Sequence, residues 1–351
     1  MRIALDAMGT DRHPSVEIQG AVEALRELPG EFTLVLVGDQ ERIEAELARI
    51  TDVARDRLTI VHASQIVSPA DPPATALRRK PDSSIVVGLK LLKNQEADAF
   101  ISAGSTGAVM AASLFLLGAL PGVDRPGVAT VIPTAGAPTL LIDAGANIDC
   151  KPQHLVQFAR LAAVYAEDVL GRSNPRIGLL NIGEEPEKGN EVVAETYQRL
   201  RESNLNFIGN VEGRDIIRGV CDVLVTDGFC GNVLLKFYES VASFMYTLVG
   251  KELGPAAAGI DLDRVFHMFD WTEYGGAPLL GVNGISIICH GGSPPRAIRN
   301  AVRVALQAVE KSVVGHIQRE ISDHEKTDAG PLRPASREKT TSSAHGYTET
   351  A

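Results

Sequence analysis

Residues 97–108, which read ADAFISAGSTGA, join a short apolar run to a turn rich in glycine and serine. The run up to Ser102 is typical of a strand that is buried on both faces of a parallel sheet. Glycine allows positive φ angles and the close approach of a ligand, and the N-terminus of a following helix offers free N–H groups to an anion. The segment therefore predicts a strand, a loop and a helix, with an anion-binding site at the loop.

The same order of strand, polar turn and helix recurs five more times. The further turns are residues 6–11, 143–147, 181–190, 227–232 and 290–293. In an open α/β sheet such turns gather at the carboxyl ends of the strands, where ligands bind. Any single turn fits a purely structural role equally well, because short loops use Gly and Asp for turns and caps. Six together favour an anion site.

Apolar runs and helical patterns alternate along the chain and predict the α/β class, with an α/β/α-layered, mostly parallel sheet. The predicted strands are Ile3–Leu5, Phe32–Val37, Leu58–Val61, Ala97–Ser102, Val128–Ile132, Thr139–Ile142, Ile177–Asn181, Asn206–Ile208, Val223–Thr226 and Ile285–Cys289. The predicted helices include Val16–Leu28, Ser83–Lys93, Leu155–Leu170, Asn190–Ser203 and Pro295–Ile321.

The domain organisation follows from where the composition changes. Residues 1–324 contain no Pro-rich or Gly/Ser-rich linker, so we expect one catalytic domain whose two subdomains share a sheet. Residues 325–351 are dominated by Thr, Ser, Pro, Gly and charged residues, which predicts a disordered C-terminal tail.

Composition excludes several classes of protein. With 351 residues, 44% hydrophobic and 22% charged, the chain is globular and neither disordered nor a coiled coil. A net charge of −10 disfavours general nucleic-acid binding. The four cysteines are widely spaced, which suggests neither a disulfide framework nor a zinc site. The N-terminus has no signal-peptide core and no apolar run is long enough to span a membrane, so we expect a cytoplasmic protein.

Common catalytic signatures are absent from the sequence. There is no GxxxxGK[ST] or GxGxxG loop, and Ala103 stands where the first glycine of GxSxG would be. Neither HExxH nor a cluster of His and Cys is present. We therefore expect no metal and no cofactor.

Seven segments, taken in order over residues 1–322, resemble the bacterial phosphate acyltransferases of the PlsX family. They are DAMG at 6–9, SAGSTGA at 102–108, DAGAN at 143–147, LLNIG at 179–183, KGNE at 188–191, FIGNVE at 207–212 and TDGFCGN at 226–232. The resemblance implies an isocitrate-dehydrogenase-like or phosphotransacetylase-like fold and a homodimer. It also implies reversible transfer of a fatty acyl group from acyl-[acyl carrier protein] to inorganic phosphate. The acyl phosphate would then serve a membrane glycerol-3-phosphate acyltransferase in phospholipid synthesis.

This reaction needs charge stabilisation more than a base. Phosphate is already an anionic nucleophile, and the leaving thiol has a pKa near about 8.5, so the thiolate leaves without strong acid help. The tetrahedral intermediate carries an additional negative charge that donors must offset. We predict Lys188 as the cation and Asn232 as the amide donor. The alternatives are a solvent-exposed loop lysine and a helix N-cap.

The other predicted site residues share a position in the six turns, where they would bind phosphate or substrate. They are Asp6, Gly9, Ser102, Gly104, Ser105, Thr106, Gly107, Asp143, Asn147, Asn181, Gly183, Gly189, Asn190, Asp227, Gly228, Gly231 and His290.

The sequence departs from the family pattern in places. Thr10 stands where the family has a second glycine, Ser105 where it commonly has Asn, and Cys230 where it has Thr or Ser. These changes bear on the geometry of ligand binding. The stretch 233–273 is also shorter than usual, and in the family this region faces the membrane.

An acidic carrier protein would need a basic surface on this acidic chain. The candidates are residues 78–80, and Arg296, Arg299 and Arg303 on one helix face, with a solvated charged face as the alternative. Apolar residues at helical spacing predict core or dimer packing: Leu234, Phe237, Val241, Phe244, Met245 and Leu248. A denser apolar cluster predicts a weak peripheral membrane contact or an acyl-holding surface: Val265, Phe266, Met268, Phe269 and Trp271.

Two rival functions remain open at this point. One is a phosphotransacetylase-like enzyme that uses coenzyme A thioesters. The other is a non-catalytic scaffold that binds phosphate ligands or recruits partners to a membrane.

Overall fold

The computed structural model describes residues 1–68, 70–253 and 271–328. Within these ranges, eleven strands form one continuous sheet in the order β3-β2-β1-β4-β11-β10-β5-β6-β9-β7-β8. The strands are β1 Arg2–Asp6, β2 Thr33–Gly38, β3 Leu58–His62, β4 Ala99–Ser102, β5 Gly127–Ile132, β6 Thr139–Ile142, β7 Ile177–Asn181, β8 Phe207–Glu212, β9 Val223–Val225, β10 Ala277–Leu280 and β11 Ile285–Ile288.

Strand direction reverses in the middle of the sheet. Strands β3, β2, β1, β4 and β11 are mutually parallel. Strand β10 is antiparallel to both of its neighbours, so β5 runs in the same direction as β11. Strand β6 is antiparallel to β5, and β9, β7 and β8 then follow the direction of β6. We propose that this reversal separates the two subdomains that share the sheet.

Helices cover both faces of the sheet. They are α1 Ser15–Glu27, α2 Gln40–Leu47, α3 Pro73–Arg79, α4 Ser84–Lys93, α5 Thr106–Leu116, α6 Pro152–Asp168, α7 Glu191–Glu202, α8 Gly213–Ile216, α9 Gly228–Leu253, α10 Pro295–Glu310 and α11 Val313–Asp328. None of the helices in the described part of the chain is both long and apolar enough to cross a membrane.

Two hydrophobic cores lie on opposite faces of the sheet because successive side chains of a strand point to opposite faces. In β1, Ile3 and Leu5 pack into the core beneath α1, α6 and α10, whereas Ala4 packs into the core beneath α4, α5 and α9. Strand β4 divides in the same way, with Ile101 on the first face and Phe100 on the second. The structure thus confirms the predicted layered α/β/α architecture.

The strand predictions are confirmed in existence and position, with small shifts at the ends. Strand β10 was not predicted, since Pro278 and the preceding Gly275 and Gly276 make this segment look like a turn. The predicted single helix over Pro295–Ile321 is wrong. It is two helices, α10 and α11, and Ser312 between them has a φ of 53°, in the left-handed region.

Several predictions concern the ends of the described ranges. Helix α11 continues to Asp328, past the predicted boundary between residues 324 and 325, and the rest of the predicted tail lies outside the described residues. The predicted membrane cluster at residues 265–269 also lies outside them, and Trp271 begins a short 3₁₀ helix, Trp271–Tyr274.

Candidate active site

The turns after β1 and β4 are joined by a buried hydrogen bond. Asp6 is only 1% exposed, and the Ser102 hydroxyl donates to its Oδ2 at 2.6 Å. The other oxygen of Asp6 accepts the Met8 N–H, and Ser102 Oγ accepts the Gly104 N–H. Burial raises the pKa of Asp6 above its usual value, while these hydrogen bonds oppose the rise. The carboxyl of Asp6 therefore holds the two turns in place.

Backbone contacts bring a third turn to the same edge of the sheet. A side chain at Gly9 would place its Cβ 2.7 Å from the backbone nitrogen of Gly104, so the first two turns meet only because Gly9 has none. The Asp11 N–H donates to the Gly291 carbonyl at 2.9 Å. We call residues 6–11, 102–107 and 290–293 the first turn cluster.

Asp143 organises the second turn cluster, which comprises residues 143–147 and 227–232. The Asp143 side chain is fully buried. It accepts hydrogen bonds from the N–H groups of Val128, Gly145, Ala146 and Asn147 and from the Asn147 side chain, at 2.7–3.1 Å. Burial is the main cause that raises the pKa of Asp143, and the hydrogen bonds lower it. Asp143 is thus the structural centre of this cluster.

The N-terminus of α9 packs against the loop that Asp143 organises. The Gly228 N–H donates to the Asn147 carbonyl at 2.7 Å, and the Cys230 N–H donates to Asp227 Oδ1 at 2.9 Å. Asn232 follows one turn into α9, with its Cβ 3.4 Å from the position that a side chain of Gly145 would occupy, so it is not the N-cap of this helix. The amide of Asn232 is exposed to solvent.

The third turn cluster, residues 181–190, is held by its own contacts. The Asn181 amide donates to the Lys188 carbonyl at 3.0 Å and accepts the Ile182 N–H at 2.8 Å. Asn190 caps α7 by accepting the Val193 N–H. The side chain of Lys188 is exposed and runs beside Gly183.

The expectation that all six turns gather at one edge is wrong. Because β6, β9 and β7 run opposite to β1, β4 and β11, the second and third clusters follow strand ends at the edge opposite to the first cluster. Strand direction is set by long-range pairing, which the turns themselves do not encode.

A cavity of about 450 Å³ connects the first and second clusters along one face of the sheet, between β5 and α9. Of the predicted site residues, Thr106 and His290 line it from the first cluster, and Asn232 lines it from the second. Among the described residues that line this cavity, none belongs to the third cluster, so Lys188 lies outside its lining.

The predicted residues divide as follows among the three clusters. The first holds Asp6, Gly9, Ser102, Gly104, Ser105, Thr106, Gly107 and His290; the second holds Asp143, Asn147, Asp227, Gly228, Gly231 and Asn232; the third holds Asn181, Gly183, Lys188, Gly189 and Asn190.

The walls of the cavity are mainly apolar. Strand β5 contributes Val128 and Ile132, and α9 contributes Leu235 and Ala242. Lys236 and Glu239 also line the cavity from α9 and were missed. Counting four and seven positions onward from Asn232, which lie on one helix face, would have found both.

The two candidate basic surfaces differ in how their side chains are engaged. On α10, Arg296 pairs with Glu273 at 3.0 Å, Arg299 pairs with Glu27, and Arg303 donates to the Glu273 carbonyl. These contacts fasten α10 to neighbouring elements of the same chain. In the other patch, Lys80 is bound to Asp71, while residues 78–79 are exposed.

Glu17 is a buried carboxyl behind the first turn cluster that the sequence did not single out. It is fully buried on α1, and its Oε1 accepts the Thr10 N–H at 2.6 Å. Burial, reinforced by the charge of Asp6, raises the pKa of Glu17 to about 7. Thr10, the departure from the family pattern, is thus held by a carboxyl that changes charge near neutral pH.

We expect Glu17→Gln to remove a pH-dependent loss of stability. The folded pKa lies above the unfolded value of 4.5, so wild-type stability is highest below that pH and falls as pH rises through about 7. The variant, which keeps an oxygen for Thr10, should gain about 2 kcal/mol relative to wild type between pH 5 and pH 8. Urea unfolding at both pH values, with Glu23→Gln on the same helix as control, measures this. The same difference in stability between the variant and the wild type at both pH values would contradict this expectation.

Comparison with known proteins places the chain among acyl-transfer enzymes. Residues 1–316 match the family model described as fatty acid synthesis protein. The chain is 51% identical over 329 residues to a phosphate acyltransferase of Heliobacterium modesticaldum, covering 92% of this chain and 98% of that protein. It is 49% identical over 330 residues to a phosphate acyltransferase of Desulforamulus reducens, with the same coverage.

Solved structures show the same fold at low sequence identity. A phosphotransacetylase from Streptococcus pyogenes superposes with a TM-score of 0.60 and 19% identity over 88% of this chain and 94% of that one. A branched-chain phosphotransacylase from Enterococcus faecalis superposes with a TM-score of 0.56 and 16% identity, over 88% of this chain and 99% of that one. The expected phosphotransacetylase-like fold is therefore confirmed.

The family match extends over nearly all of the described chain, and the two relatives above, which share about half of its residues, are both named phosphate acyltransferases. The chain belongs to the family of fatty acid synthesis proteins that includes the phosphate acyltransferases, and it is an acyl-group transferase.

Proposed function

We propose that the protein transfers a fatty acyl group from acyl-[acyl carrier protein] to inorganic phosphate. The observation that carries this proposal is the cavity between β5 and α9, whose apolar walls connect two glycine-rich turn clusters. Apolar walls suit an acyl chain, and glycine-rich turns beside helix N-termini suit phosphate. The names of the relatives supply the acyl and phosphate classes.

The reaction is a substitution at a thioester carbonyl. A phosphate oxygen attacks the carbonyl carbon and forms a C–O bond, and the electron pair of the carbonyl moves to its oxygen. When the carbonyl re-forms, the C–S bond breaks and the sulfur leaves as a thiolate, which takes up, through water, the proton that the phosphate gives up. The protein must therefore hold the phosphate anion against the neutral thioester and stabilise the transient oxyanion.

Asn232 is the residue that we assign to the oxyanion. Its exposed side chain lines the cavity one turn into α9, beside Gly145 of the second cluster. Lys188 has a different place, because it lies in the third cluster, outside the cavity lining. We propose that Lys188 attracts phosphate without touching the oxyanion.

A direct assay tests the reaction. Long-chain acyl-[acyl carrier protein] should be consumed only when phosphate is present, giving acyl phosphate and free carrier protein in equal amounts, with EDTA present throughout. Mass spectrometry of both products measures this. Turnover of acetyl-coenzyme A without turnover of the carrier-bound acyl group would replace the proposal with the coenzyme A reaction. Loss of activity with EDTA, restored by one divalent ion, would reveal a metal requirement.

The partners that we propose follow from the product and from α9. Acyl phosphate is reactive, so we expect a membrane glycerol-3-phosphate acyltransferase to consume it in phospholipid synthesis. We propose that the protein itself is cytoplasmic and makes weak peripheral contact with the membrane. Helix α9 turns several large apolar side chains to solvent, including Phe237 at 68% and Phe244 at 62% exposure. This outward face supports a homodimer, because exposed apolar patches mark association surfaces.

A further inference from the structure

The cavity has a direction, because α9 and β5 run the same way along it. At one end, Asn232 lies beside Gly145, close to where the Ala144 N–H donates to the Val128 carbonyl at the start of β5. Further along α9, the Tyr238 hydroxyl donates to the Pro133 carbonyl, just past the end of β5, at 2.7 Å. The cavity therefore extends from the second turn cluster along α9.

One face of α9 forms a wall of the cavity. The residues that line it are Asn232, Leu235, Lys236, Tyr238, Glu239, Ala242 and Ser243. From Asn232 to Ala242, ten residues of helix span about 15 Å. Among the described residues, Ala242 is the apolar residue of this wall that lies farthest from Asn232, and its side chain is a single methyl group.

The sheet wall of the cavity also carries a small side chain. Ala277, at the start of β10, lines the cavity, and it pairs with Ile288 of β11, which lines it as well. The register of β10 on β5 places Ala277 nearer the Asn232 end than Tyr238, so the far part of the cavity is bounded by Ala242. A larger side chain at position 242 would fill space there and leave the Asn232 end unchanged.

We propose that Ala242 determines the length of the acyl chain that the enzyme accepts. The inference rests on the proposed acyl transfer, with the thioester carbonyl at Asn232 and the chain lying along α9 towards Ala242. Each methylene that leaves water for an apolar wall strengthens binding about four-fold, so the chain length that fits is selected strongly. A leucine at position 242 would exclude the distal methylenes of a long chain but not a short chain.

The test compares carrier proteins loaded with 8-, 12- and 16-carbon saturated chains. We expect Ala242→Leu to lower kcat/KM for the 16-carbon substrate ten-fold or more while the 8-carbon substrate changes less than two-fold. The control is Ser240→Leu, which places the same side chain on an exposed position of α9 that does not line the cavity.

A binding measurement separates this proposal from the proposed function. Calorimetric titration with free 8- and 16-carbon fatty acids should show that Ala242→Leu weakens only the binding of the longer acid. Suppose that the wild type makes no acyl phosphate, but Ala242→Leu still weakens only the binding of the longer acid. The proposed reaction then fails, and the role of Ala242 in determining chain length stands. If Ala242→Leu melts at the wild-type temperature and changes kcat/KM for every chain length equally, or for none, the role of Ala242 is refuted.

Discussion

Replacing Asn232 with alanine is expected to lower kcat by about 100- to 1,000-fold, the usual effect of removing one oxyanion donor. The amide lies one turn into α9 and lines the cavity, and none of the hydrogen bonds described for the second cluster involves it. Stability should therefore change by less than 1 kcal/mol or so, since exposed substitutions usually have small effects. The two readouts together distinguish a catalytic amide from a structural one.

Steady-state kinetics with carrier-bound substrate and circular dichroism measure this. Asn94→Ala, an exposed asparagine that ends α4, is the control. Lys188→Ala serves as a comparison, for which we expect a raised KM for phosphate with a smaller change in kcat, because Lys188 does not line the cavity. Near-wild-type turnover of a folded Asn232→Ala enzyme would remove Asn232 from the mechanism.

Gly231→Ala is expected to disrupt the second turn cluster and to abolish most activity. The added Cβ would lie 1.9 Å from the Asp143 carbonyl oxygen, so α9 or the Asp143 loop must move. Neither can move cheaply, since the Asp143 carboxylate holds its loop through five hydrogen bonds. We expect the free energy of unfolding to fall by about 3 kcal/mol, the upper end for overpacking.

Urea unfolding and activity should be measured on the same preparations. The matched control is Gly213→Ala at the start of α8, where an added Cβ meets nothing within 4 Å. It should leave both quantities nearly unchanged. Wild-type stability and turnover in Gly231→Ala would mean that α9 is not packed against Asp143 as described.

Local patterns in the sequence were sufficient for most of the sheet. Apolar runs such as Thr139–Ile142 and Ile177–Asn181 coincide with strands to the residue, because buried parallel strands need continuous apolar side chains. Strand β10 was not predicted because Pro278 lies within it. The division of the last predicted helix at Ser312 was not predicted because the apolar pattern continues on both sides of this residue. Both failures are local conformations that tertiary pairing imposes.

The turns of the candidate site were predictable from the sequence, but their arrangement was not. Glycine and aspartate turns such as Asp143–Asn147 were identified from the sequence, and the structure gives them buried hydrogen-bond networks. Their division between the two edges of the sheet depends on the antiparallel pairing of β5 with β6. The composition of the two strands does not indicate this direction. Glu17 was missed because its burial depends on packing against a turn that precedes it in the chain.

Helix α9 couples two surfaces that serve different purposes. Its inner face lines the cavity from Asn232 to Ser243, while Val233, Phe237 and Phe244 on its outer side meet solvent in the single chain. A helix moves as a rod, so any displacement that a partner imposes on the outer side changes the width of the cavity. By thermodynamic reciprocity, whatever factor such a partner applies to acyl-chain affinity, the acyl chain applies to the affinity for that partner. The binding of an acyl chain in the cavity and the binding of a partner to the outer side therefore depend on each other through the position of α9.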